Sequence, residues 1–130
     1  AGVQVEFRQG DASQMPFAGD SFNLIICRAA FKNFAAPVAA LNEMHRVLKV
    51  GGTAVIIDLR HDASPAEVKK AVDAMGLSKI NTWMTKWTFK HMLLKRAYTA
   101  DAFRQMIAQT YFKHYDIEPD AIGLEVRVEK

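Results

Sequence analysis

The sequence predicts an α/β protein built on a mostly parallel sheet, three layers deep, with an antiparallel strand pair at its C-terminal end. Three observations carry this. Strand-like runs alternate with amphipathic helical stretches, the order that a parallel sheet with crossover helices requires. Two of the runs, "LIIC" at 24–27 and "AVII" at 54–57, are apolar without alternation, as strands buried on both faces are. The last twenty residues hold two alternating segments separated by Pro119, Asp120 and Gly123, the pattern of a closing hairpin.

The elements follow in order. Residues 3–8, "VQVEFR", read as a first strand and residues 21–27, "SFNLIIC", as a second. From Pro37 to Leu48 the apolar residues Val38, Leu41, Met44, Val47 and Leu48 recur at helical spacing. Pro37 suits the first turn of that helix and Gly51-Gly52 its stop. Residues 53–59, "TAVIIDL", are a third strand. Ser64, Pro65 and Glu67 form a capping box for a helix that Gly76 ends, with Val68, Ala71, Val72 and Met75 as its inner stripe. Ile80, Trp83, Met84, Trp87 and Leu94 share one face of a longer helix over 80–96. Thr99 caps a last helix with Phe103, Met106 and Ile107 inside.

Composition narrows the function classes. The chain of 130 residues is half hydrophobic, which suits one domain with a sizeable core. No apolar run is long enough to cross a bilayer, and no charged-then-apolar leader is visible, so no membrane partner is expected. The single cysteine, Cys27, excludes an internal disulfide framework and a cysteine-rich metal site, which points to a cytoplasmic protein without a metal. A net charge of +3 permits an anionic ligand and makes no case for nucleic acid. The basic-aromatic stretch "KWTFKHMLLKR" would bind nucleic acid only through a continuous basic face, and Glu67, Asp73 and Asp101 nearby argue against one. It reads as an amphipathic helix with a solvated basic edge, or as a substrate lid within an inserted segment, 63–98.

In open α/β sheets ligands sit beyond the carboxyl ends of the strands. Three such ends are readable: Gly10-Asp11-Ala12, then Cys27-Arg28 leading to Lys32 and Asn33, then Asp58 leading to Arg60, His61 and Asp62. The Asp11 carboxylate and the Ala12 N–H match the edge of adenine, where an amine donor lies beside an acceptor nitrogen. Asp11 equally suits an Asx turn that caps its own loop. Cys27 reads as a packing thiol or a nucleophile, and Arg28 as a partner for an anion or a surface arginine. His61 beside Asp62 is a candidate general base or a solvated loop residue.

These residues also carry a resemblance. Gly10-Asp11-Ala12, Met15-Pro16-Phe17, Ser21-Phe22-Asn23, Glu43 and the run Arg46-Val47-Leu48-Lys49-Val50-Gly51-Gly52 resemble the central part of class I, type-11-like S-adenosylmethionine-dependent methyltransferases. Asn23 stands where the family usually has Asp, Val50 where it has Pro, and Lys32-Asn33 where many members have histidines. The resemblance implies a Rossmann-like sheet of strand order 3-2-1-4-5-7-6, in which "SFNLIIC" is the fourth strand. It implies S-adenosyl-L-methionine as cofactor, with Gly10, Asp11 and Ala12 at the adenine and Cys27 and Arg28 at the methionine and ribose. The implied reaction is methyl transfer to a small-molecule acceptor, with Asn33 and His61 as candidates for catalysis. The sequence has no glycine-rich loop after a first strand and no ribose-gripping acid after a second. It is therefore expected to be the C-terminal portion of an enzyme, its N-terminal strands missing. The alternative is a non-catalytic module of the same fold. An uncovered edge on the "SFNLIIC" strand, without proline or lysine to block pairing, makes a homodimer the expected assembly.

Overall fold

A computed structural model describes residues 2–59, 97–120 and 123–130, with isolated positions 66, 69–70, 73–74, 76 and 84–85 between them. Four strands form one sheet: β1 (Phe22–Arg28), β2 (Leu48–Leu59), β3 (His114–Pro119) and β4 (Gly123–Glu129), in the order β1-β2-β4-β3. β1 runs parallel to β2, with Leu24 opposite Thr53 and Arg28 opposite Ile57. β4 runs antiparallel to β2, and β3 antiparallel to β4. The sheet is thus mixed, and its order reproduces the 4-5-7-6 half of the family arrangement.

Two helices, α1 (Pro37–Val47) and α2 (Ala100–Ala108), supply the core on one face of the sheet. Pro37 opens α1, where a missing N–H costs nothing. Thr99 caps α2 through its Oγ1, which accepts from Ala102 N at 3.1 Å. Leu41 and Met44 of α1 meet Phe103, Met106 and Ile107 of α2 over Ala54, Ile56, Val126 and Val128. Between β1 and α1 the chain makes a short 3-10 turn at Phe31–Asn33. Its Phe31 ring is fully buried, with centroids 5.4 Å from Phe34, 6.0 Å from Tyr98 and 5.2 Å from Phe103.

The glycine pair is not the stop of α1, which ends at Val47 with Leu48 already extended; it lies inside β2. β2 already begins at Leu48, five residues ahead of the expected start, and the chain turns within it at Gly51, whose φ of +83° suits glycine. Gly51 N donates to Lys130 O, and Lys130 N to Gly52 O. A Cβ on Gly52 would stand 2.8 Å from the Lys49 carbonyl and 3.1 Å from that of Asn23, so this position admits no side chain.

Two expectations need correction. Residues 3–8 are not a strand: they form no ladder, and Val3, Val5 and Phe7 are exposed. An extended segment without a neighbour has no partner for its N–H and C=O groups. Likewise β1 is not buried on both faces. Cys27 faces the core, while Leu24 and Ile26, on the face shared with Val55 and Ile57, are 55% and 63% exposed. The helices expected at 64–76 and 80–96, and the inserted segment at 63–98, lie almost wholly outside the described residues.

Candidate cofactor site

The first strand-tip motif lies on a tight loop. Asp11 Oδ1 accepts from Ser13 N at 2.8 Å and from Ser13 Oγ at 2.6 Å, and Gln14 N returns to Asp11 O at 3.0 Å. The Asx-type turn is therefore present. These two bonds to Ser13 hold the Asp11 carboxyl below its ordinary value, so it is ionised and accepts only. Its second oxygen and the Ala12 N–H have no partner among the described residues, and both are available to an adenine edge. An open groove of about 220 Å³ runs beside them, lined by Arg8, Gly10, Asp11, Ala12, Pro16 and Phe17 among others. The loop fits the ligand that the resemblance implies: an acceptor, a donor and a slot with an apolar wall.

The wall is anchored from α1. Glu43 and Arg46, one helical turn apart, form a bidentate pair at 2.7 and 2.8 Å. Arg46 also donates to the carbonyls of Phe17, at 2.8 Å, and Met15, at 3.1 Å, while Glu43 Oε2 accepts from Met15 N at 2.7 Å. The Arg46 hydrogen bonds push the Glu43 carboxyl below its ordinary value against a desolvation effect that raises it.

The second tip is built around a buried ion pair. Lys32 Nζ lies 2.9 Å from Asp58 Oδ1, the two side chains 7% and 3% exposed. Asp58 also accepts from Lys32 N at 3.1 Å and Leu59 N at 2.9 Å, and Lys32 Nζ donates to Ala29 O at 3.0 Å. Ala29, between β1 and the 3-10 turn, adopts a left-handed φ of +57°. The pair thus ties the end of β1 to the end of β2 across that bend. Beside it Cys27 is buried; burial first, and the Asp58 charge second, push its thiol up. Among the two readings of Cys27 this favours a protonated packing thiol over a nucleophile.

Arg28 and Asn33 are exposed at this tip. Neither Cys27 nor Arg28 lines the groove beside Asp11. His61 lies outside the described residues. Sequence reasoning missed both anchoring devices, although a carboxylate ending the apolar run "AVIID" and a Glu-x-x-Arg pair on one helix turn were signals for them. Among the described residues no cluster of His, Cys, Asp and Glu suits a metal, and no helix is long and apolar enough to cross a membrane.

Residues 1–114 match a family described as "Methyltransferase domain". The chain is 32% identical over 121 residues to the demethylmenaquinone methyltransferase of Chlorobaculum parvum, covering 88% of this chain and 50% of that protein. It is 32% identical over 77 residues to the ubiquinone/menaquinone biosynthesis C-methyltransferase of Roseobacter denitrificans, covering 59% of this chain and 30% of that protein. The chain therefore spans half or less of the length of these relatives. Its fold is that of the plantazolicin methyltransferase BpumL, solved with a desmethylPZN analog and SAH. The TM-score is 0.71 at 13% identity, covering 100% of this chain and 60% of that one. A SAM-dependent methyltransferase from Aquifex aeolicus aligns at TM-score 0.65 and 14% identity, covering 95% and 53%. With this match over most of its length, and with the strand order and motifs already described, the chain belongs to the class I S-adenosylmethionine-dependent methyltransferases.

Proposed function

We propose that the full-length protein carrying this chain transfers a methyl group from S-adenosyl-L-methionine to a small-molecule acceptor. In this reading Gly10, Asp11 and Ala12 recognise adenine, and Cys27 and Arg28 border the methionine and ribose. The observation that carries it is the Asp11 carboxylate: one oxygen is used to shape its loop, and the other is left over beside an open groove. The bound cofactor would supply a methyl carbon activated by positive sulfur, so the protein's task is alignment and exclusion of water. Asp11 accepts a hydrogen bond from the exocyclic amine, Ala12 N–H donates to the ring nitrogen, and Arg28 offers an exposed cation at the second tip. Asn33 and His61 are the candidates at the acceptor side. A non-catalytic module is not favoured, since the relatives matched over most of the chain are named as enzymes. Their names make a quinone-type ring the first acceptor to assay.

Calorimetry of S-adenosylhomocysteine binding to the full-length protein tests the site. Asp11→Ala is expected to weaken binding about tenfold, through one hydrogen bond to a charged acceptor. Unchanged affinity would remove Asp11 from the site.

We also propose that the 130-residue chain alone self-associates. The outer edge of β1 has no partner strand among the described residues, and Leu24 and Ile26 beside it are exposed. The segment holding Val3, Val5 and Phe7 alternates apolar and polar residues, as a strand with one buried face does, and finds no ladder of its own. Its counterpart in a second copy is the occupant that fits this edge. Light scattering at tens of micromolar should show a dimer; a sharply melting monomer would refute it.

A further inference from the structure

The groove beside Asp11 is held in shape from α1 by two residues that do not line it, Glu43 and Arg46. Three consecutive carbonyls on its far wall each accept from an arginine. Met15 O and Phe17 O take Arg46, at 3.1 and 2.8 Å, and Pro16 O takes Arg8 at 3.3 Å. Glu43 completes the grip by accepting from Met15 N and by fixing the Arg46 fork through two bonds. Pro16, in the middle of this grip, stands against Gly10: a Cβ on Gly10 would lie 3.3 Å from Pro16 Cδ. A chain of contacts therefore runs from α1 through residues 15–17 to the backbone that immediately precedes Asp11.

We infer that Glu43 and Arg46 are positioning residues for the adenine end of the site. They set the distance between the apolar wall and the Asp11–Ala12 edge without touching the ligand. This rests on the proposed role of Asp11. The planar guanidinium is suited to it because its fixed fork of donors reaches a carboxylate and two carbonyls at once. A lysine at the same place keeps the charge and loses that geometry. The flanking bonds are redundant enough that a single change loosens the wall while the core of α1, through Leu41, Met44 and Val47, stays in place.

The test uses the full-length protein and S-adenosylhomocysteine as probe. Arg46→Lys and Glu43→Gln are each expected to weaken binding about tenfold, with ligand-free melting within a few degrees of the parent. Combined with Asp11→Ala, neither should weaken binding further, because the edge that they position is already gone. Amide exchange at Met15 should quicken in both single variants, a readout independent of ligand. Faster exchange with unchanged affinity, while Asp11→Ala does weaken binding, overturns the positioning role and leaves the site intact. Full additivity with Asp11→Ala also overturns it. Unchanged affinity in Asp11→Ala itself overturns the assignment of the site, and the positioning role with it.

Discussion

Asp58→Ala is expected to destabilise the protein by about 3–5 kcal/mol, the usual consequence of removing one partner of a buried ion pair. The lysine left behind has almost no access to water, its side chain being 7% exposed. Among the described residues it keeps the Ala29 carbonyl alone, and the N–H groups of Lys32 and Leu59 lose their acceptor. The charge itself contributes little net stability, since taking both ions from water offsets their attraction. Replacing both at once, Lys32→Met with Asp58→Leu, should therefore recover the share due to the stranded lysine and leave the cost of the two N–H groups without their acceptor. Urea unfolding of the three proteins measures this. A loss below about 1 kcal/mol in Asp58→Ala would mean that water reaches Lys32 and that the tip is open.

Phe31→Ala should cost a similar amount, about 3–5 kcal/mol, for the different reason that it opens a cavity. The ring is fully buried and is the hub of an aromatic group with Phe34, Tyr98 and Phe103. Two of these contacts come from beyond residue 96, so Phe31 joins the β1 tip to the C-terminal half of the chain. Phe31→Leu keeps most of the volume and should cost less than about 1.5 kcal/mol. Thermal melting of the pair separates a packing effect from a change in the turn. Equal losses in both variants would place the energy in ring-specific contacts.

The fold was legible where local signals agreed with tertiary ones. Pro37, the spacing of Leu41, Met44 and Val47, and Thr99 before Phe103 each marked a helix that the structure contains. The hairpin around Pro119 and Gly123 was equally plain, because alternation on both sides of a turn leaves one register. Misreading began where burial had to be supplied by something else. "VQVEFR" has strand composition, yet a strand exists only with a neighbour, and composition does not name one. The apolar run of β1 suggested cover on both faces, while only the α1–α2 face is covered among the described residues. For the candidate site, Asp11 was singled out by a carboxylate and a neighbouring N–H that the sequence displays locally. The Lys32–Asp58 pair escaped because it joins two separate elements, and pairing across such a distance leaves no local pattern. The Glu43–Arg46 spacing on one helix turn was visible, but its grip on the distant residues Met15 and Phe17 was not. Asn33 lies exposed at the end of the 3-10 turn.

The position of β2 has a consequence for the chain as it leaves the ribosome. β2 can pair with β1 as soon as α1 has formed, since that unit is contiguous. Its other neighbour, β4, comes from the far end of the sequence, with Thr53 awaiting Glu129 and Leu59 awaiting Gly123. At roughly 5–20 residues per second, that edge stays open for several seconds of synthesis. During that interval the nascent chain displays unpaired backbone along "TAVIIDL", one of its most β-prone stretches. Pairing with β4 closes that edge, so the arrival of β4 ends the exposure of this stretch to aggregation.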